Sequence, residues 1–232
     1  MSLSFCLIFL YNGGMSYIEL KGKKYPYYLS RRKMRSMSAT VRGDVIEVHA
    51  PYHVETSVVE AFLKKHEEKF VKAIEAFKPL YDFRDGGFVY VFGKRYALKH
   101  VVDQRAIVEE HGNCLDIHSY DFEKTLSQYL ARKLYGYLQT RISYYLQHDF
   151  ALSMPRIIVK PYRSRWGSCY YERQEVAFNC MLVHFDTRVI DSVIIHELCH
   201  FLVSNHSKTF YQEVYKRMPD YDYWHEQLRG AL

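Results

Sequence analysis

The 232-residue sequence predicts an α+β fold, β-rich up to about residue 120 and mixed beyond it. Three observations carry that expectation. Apolar residues alternate with a period of two through much of the first half, as half-buried strands require. From Asp121 the period lengthens, with Leu126, Leu130, Leu134, Leu138, Ile142 and Leu146 recurring every four residues. Beyond that helix, short strand-like runs are followed by helical ones, which sets a helix beside a small sheet.

In chain order, "KYPYYLS" and "SMSATVRGDVIEVHAP" read as strands, with Arg42 to Asp44 making a tight hairpin turn. "TSVVEAFLKKHEEKFVKAIEAF" reads as one amphipathic helix, with Ser57 and Glu60 spaced as a capping box. After Asp85 to Gly87 the strand pattern returns in two hairpins, one turning at Gly93 and one at Gly112 and Asn113. The leucine-striped helix runs from about Asp121 to near Asp149 and faces a core. Strand candidates follow at Arg156 to Lys160, Ser164 to Tyr171 and Glu175 to Asn179, and from Asp186 the chain reads as helices. The expected organisation is an N-terminal extension over 1–14, a β-rich region over 15–120 and a C-terminal domain over 121–232.

Composition bounds the function. Hydrophobic residues at 48% with 25% charged describe a chain able to bury a core. No run approaches the roughly 18 apolar residues that span a bilayer, so no membrane partner is expected. Phe5 to Gly14 has an apolar centre but lacks a basic flank and a small-residue cleavage site. It reads as an extension, with Met15 a plausible initiator. Five cysteines, odd in number and without a C-x-x-C pair, argue for a reducing compartment, with the cytoplasm the default. The net charge of +6 peaks in "RRKMR", Arg31 to Arg35, a run more often a solvated face than a nucleic-acid patch.

The chemistry concentrates in "HELCHFLVSNHSKTF", His196 to Phe210. Asp186 is placed to cap a helix whose apolar residues, from Val189 to Leu202, recur at helical spacing. On that helix His196 and His200 lie about 40° apart on one face, one turn above the other. Their imidazoles can therefore converge on one ion, with zinc–nitrogen bonds of roughly 2.0–2.1 Å. Glu197 is turned by about 100° and sits beside the ion, where a carboxylate can take a proton from water. The pattern arises by chance in roughly a few per cent of chains this size. Two histidines and a glutamate buried without a task would also cost several kcal/mol in desolvation. A metal site is the better reading. The third ligand is either His206 or Glu213, with His206 preferred. Asn205 is expected to take a left-handed conformation that turns the chain back, and Ser207 to cap the next helix. That helix would pack on the first through Phe210, Tyr211 and Val214. His184 and His225 are set aside as lone histidines.

Taken together, "RSRWGSC" (Arg163 to Cys169), "HELCH", "NHSKTF" and "RMPDY" (Arg217 to Tyr221), in that order, resemble the YgjP-like metallopeptidase domain family. "SRRKMRSMSATVRGDVIEVHAP" is similar to the family's opening, so the resemblance covers nearly everything from Met15 onward. It implies a zincin-type zinc hydrolase, more distantly related to the SprT-like and Wss1-like proteases, without giving the substrate; the expected function is a zinc metallopeptidase acting on a peptide or protein. It also implies His196, His200 and His206 as ligands of Zn2+ and Glu197 as the catalytic glutamate. In zincins a strand edge beside the metal pairs with an extended substrate, which points to Arg165, Trp166, Gly167 and Ser168 as substrate-binding. Gly167 would permit close approach of another backbone. Trp166 fits equally well in a core, and Arg163 or Arg165 could stabilise an oxyanion. The alternative function is a nucleic-acid-associated module, or a DNA-stimulated protease, with a mainly structural zinc. Such a site usually has four protein ligands, and only three good ones can be named here.

Overall fold

A computed structural model describes residues 15–77, 79–229 and 231. The expected extension at Phe5 to Gly14 lies outside the described residues. These residues fall into two compact units, one up to Pro79 and the other Leu80–Arg229. The change of character expected near residue 120 lies within the second unit.

The first unit is a four-stranded sheet with two helices. Its strands are β1 (Ser16–Leu20), β2 (Lys23–Arg32), β3 (Ser38–Arg42) and β4 (Val45–Pro51), ordered β1-β2-β4-β3. β2 and β4 are parallel; the other pairs are antiparallel. Alternate residues Ile18, Leu20, Tyr25, Tyr27, Ile46 and Val48 point to one side and bury Val59, Leu63 and Phe70 of the helices. The helix expected over 56–77 is two helices, α1 (Thr56–Lys65) and α2 (Glu67–Ala76), because the chain breaks at His66. The capping box is also absent. Glu55 is the N-cap, Ser57 lies inside α1, and Glu60 accepts a hydrogen bond from Tyr27 Oη at 3.1 Å instead. In the "RRKMR" run, Arg31 is spent locally: its guanidinium donates to the Val54 carbonyl and to Thr56 Oγ1.

The second unit opens with a five-stranded sheet of order β5-β6-β7-β9-β8. Its strands are β5 (Tyr81–Asp82), β6 (Phe88–Val91), β7 (Lys94–Val101), β8 (Ile107–His111) and β9 (Cys114–His118). Both hairpins turn where expected. Phe92 and Gly93 both have positive φ (52° and 78°), as a two-residue turn matched to strand twist requires. Asp121 caps α3 (Phe122–His148), and its leucine stripe is buried from Leu126 to Ile142.

A second sheet follows, with β10 (Arg156–Lys160), β11 (Gly167–Tyr170) and β12 (Glu175–Asn179) in the order β10-β12-β11. β11 is thus an edge strand, antiparallel to β12. A 3-10 turn over Cys180–His184 leads into α4 (Thr187–Cys199), and α5 (Lys208–Arg217) and α6 (Tyr221–Glu226) complete the unit. α4 is fastened to α3 through Asp191, which is 2% exposed. Tyr137 Oη, Arg141 Nη2 and Tyr145 Oη donate to its carboxylate at 2.8, 2.7 and 3.0 Å. A buried carboxylate needs such partners, and here all come from one helix. Among the described residues no helix is long and apolar enough to cross a membrane.

Candidate metal centre

Asp186 caps α4 as expected, its carboxylate accepting from Arg188 N at 2.8 Å. The helix runs to Cys199, and His200 keeps helical dihedrals (φ −66°, ψ −18°). His196 and His200 therefore stand one turn apart, with ring centroids separated by 5.0 Å. The chain leaves α4 through tight bonds from Phe201 N to Leu198 O and from Leu202 N to Cys199 O. These bonds make the turn, so the expected left-handed Asn205 is corrected. Asn205 has no positive φ, and its Oδ1 accepts from Ser207 N at 3.2 Å. Ser207 Oγ in turn caps α5 at Phe210 N.

This loop carries His206 back over the end of α4. Its ring lies 5.0 Å from His196 and 4.7 Å from His200. One nitrogen from each of the three histidines lies within 4.8 Å of the other two. The Nε2 atoms of His196 and His206 are 3.0 Å apart, against about 3.4 Å for two nitrogens bound tetrahedrally at ~2.1 Å. The outer nitrogens are tied elsewhere. His200 Nδ1 donates to the Val203 carbonyl at 3.2 Å, which leaves its Nε2 bare, and His196 Nδ1 lies 2.9 Å from Tyr221 Oη. Burial, and then the neighbouring histidines, push His196 down to about 3, so it is neutral as a ligand must be. Three imidazoles with converging nitrogens fit a divalent cation such as zinc. Fully buried Phe210 packs its ring 4.5–5.0 Å from all three and forms the floor.

Glu213, the rival third ligand, is outside this cluster. Its Oε2 accepts from Arg217 Nη1 at 2.6 Å, and that guanidinium holds its carboxyl below the usual range.

Glu197 is 5% exposed. Burial pushes its carboxyl up to about 8, against the opposing pull of Arg165 and a bond from the Cys169 backbone N–H. Its side chain packs against Gly167: a Cβ there would collide with Glu197 Oε1. The close approach that Gly167 permits is therefore made by the Glu197 side chain.

A pocket of about 420 Å³ opens over this cluster, lined by His196, Glu197, His200 and His206 together with Arg165, Trp166, Gly167 and Ser168. Arg163 is not in its lining. Trp166 is half-buried, edge-on to Phe185 at 5.1 Å, rather than enclosed in a core. Two residues of α6 enter the site without having been read from the sequence. Tyr221 meets His196 as described, and His225 lines the pocket with its ring stacked 5.7 Å from His196. The "MPDY" motif flagged Tyr221 without indicating any chemistry, and a single histidine in a helix carried no signal.

The sequence pattern of the YgjP-like, metallopeptidase domain family matches residues 35–231. Among solved structures, the chain is similar to the metallopeptidase zymogen abylysin of Pyrococcus abyssi, with 15% identity and a TM-score of 0.38 over 41% of this chain and 94% of that one. It is also similar to the metallopeptidase zymogen jannalysin of Methanocaldococcus jannaschii, with 21% identity and a TM-score of 0.36 over 39% and 92%. No curated protein matches the sequence. The family match spans most of the chain and takes in "RWGSC", "HELCH", "NHS" and "MPDY", so this protein belongs to the YgjP-like metallopeptidase domain family and is a metal-dependent hydrolase.

Proposed function

We propose that the protein is a cytoplasmic zinc peptidase in which His196, His200 and His206 hold the ion and Glu197 is the general base. The observation that carries this reading is the convergence of three imidazoles beside a buried glutamate in one pocket wall. When bound, zinc supplies Lewis-acid chemistry, acidifying water and polarising a carbonyl. A divalent cation on the three histidines would favour the ionised form that burial of Glu197 disfavours. As a carboxylate, packed on Gly167 and held by the Cys169 N–H, Glu197 accepts the proton of the attacking water and delivers it to the leaving amine. β11 has one edge without a strand neighbour, beside this carboxylate, so an extended peptide can add to the sheet main chain to main chain at the groups that Glu197 does not already hold. Arg165, Trp166, Gly167 and Ser168 contact that peptide, with Arg165 the basic group of the pocket. A structural zinc site would call for a fourth protein ligand, and the cluster supplies three among the described residues.

The test is metal analysis of the purified protein combined with digestion of a peptide library by wild type and Glu197→Gln. Wild type should carry one zinc and cleave. The variant should keep its zinc and lose hydrolysis by about 10³-fold. Turnover retained in Glu197→Gln would remove this residue from the mechanism.

A further inference from the structure

Arg188, Ser192, His196 and His200 recur every four residues and form one stripe along α4. Three of the four are met by the short segment around α6. Asp220 takes Arg188 Nη2 in a forked pair at 2.8 and 2.9 Å. His225 Nδ1 lies 3.5 Å from Ser192 Oγ, and Tyr221 Oη lies 2.9 Å from His196 Nδ1. Tyr221 is 3% exposed, and its ring is near-parallel to those of His196 and His225.

We propose that Tyr221 is the positioning residue of His196: its hydroxyl oxygen accepts the Nδ1 proton and so keeps Nε2 bare and aimed at the ion. This inference rests on His196 being a ligand. Ligand histidines commonly present their second nitrogen to a carboxylate, a carbonyl or water, and that partner fixes both tautomer and ring orientation. Here the partner is a buried phenol. The choice of tautomer matters because a competing arrangement is close at hand. A proton on His196 Nε2 would find His206 Nε2 3.0 Å away. That internal hydrogen bond would close the site to an ion. Tyr221 Oη can accept from the opposite tautomer, in which the proton sits on Nδ1 and Nε2 is left for the ion, and its ring stacks on the imidazole.

The experiment measures zinc affinity of the full chain by competition with a chromophoric chelator, alongside the melting temperature of the metal-free protein. Wild type and His196→Ala come first. Zinc binding by wild type that is lost in His196→Ala establishes the ligand; unchanged binding in His196→Ala would sink the site reading itself, and this inference with it. Tyr221→Phe keeps the ring and removes only the oxygen. It should weaken zinc by about 10- to 100-fold while the metal-free melting temperature holds, and saturating zinc should restore much of the activity. Asp220→Asn is the comparator, because it loosens α6 at Arg188 without touching His196, and its affinity should stay within about twofold. Wild-type affinity in Tyr221→Phe would overturn the proposal. So would an Asp220→Asn loss as large as that of Tyr221→Phe, since general docking of α6 would then account for both.

Discussion

The two histidines on α4 and the one on the loop behind it reach the same point by different physics. His196 and His200 are half-buried, on a helix whose inner residues from Val189 to Leu198 are almost all closed to solvent. That helix is fixed to α3 by the Asp191 network and to α6 by Arg188. His206 is exposed, and its placement depends on tight turns after Leu198 and on the Asn205 and Ser207 side chains. A prearranged pair thus meets a third donor whose backbone is held by a few local bonds. Rigidity in this site is distributed unevenly, and the loop is the half that the ion itself has most to order.

The largest effect should come from breaking the rigid half. Asp191→Ala leaves Arg141 without its buried partner and should cost about 3–5 kcal/mol in urea unfolding. A loss below about 1 kcal/mol would mean that α4 is held by apolar packing alone. The loop half should behave differently. His206→Ala should weaken zinc by about 10²-fold or more, with melting of the metal-free protein unchanged. Glu213→Ala should leave zinc content intact. Stoichiometric zinc in His206→Ala, or an empty site in Glu213→Ala, would reverse the ligand assignment.

A smaller effect is expected where the glutamate meets the strand. Gly167→Ala puts a methyl group where Glu197 now lies, so kcat should fall about tenfold or more with zinc retained. Unchanged kcat would show that the carboxylate has room elsewhere. The smallest effect concerns the scaffold alone. His184 is buried, its Nδ1–H donating to the Tyr90 carbonyl at 2.8 Å, and burial pushes it down to about 4. The folded state then binds fewer protons than the unfolded state between about 6.5 and 4. Stability is fully present above pH 6.5 and declines as pH falls through that window, by about 1 kcal/mol per unit at most. His184→Gln should lose that part of the acid sensitivity. Identical pH profiles of urea unfolding for the two proteins would contradict it.

Periodicity made the strands and the leucine helix legible, because strong alternation and a four-residue stripe both report one buried face. β10 and β12 begin and end at the residues expected. It failed at His66, where the apolar pattern continues across a break in the backbone, and at Ser57, whose capping partner Glu60 is claimed by Tyr27. The HExxH spacing brought out the site's helix, since i and i+4 share a face whatever the surroundings. The placement of Tyr221 and His225 in the site was not legible, because both act across the contact between α4 and α6, and no spacing along the chain encodes such a contact. Gly167 was noticed for a freedom of backbone, while the neighbour that uses its missing side chain lies thirty residues away.

β11 is only four residues long, bounded by Trp166 and by the 3-10 turn that starts at Tyr171. On the proposed function, a chain that added to its edge would be gripped over that length and no further, through peptide groups common to every sequence. Such a grip reads extension and register rather than side-chain identity. Folded segments, whose backbone groups are already paired, would be excluded by the same hydrogen bonds that would admit an unfolded one.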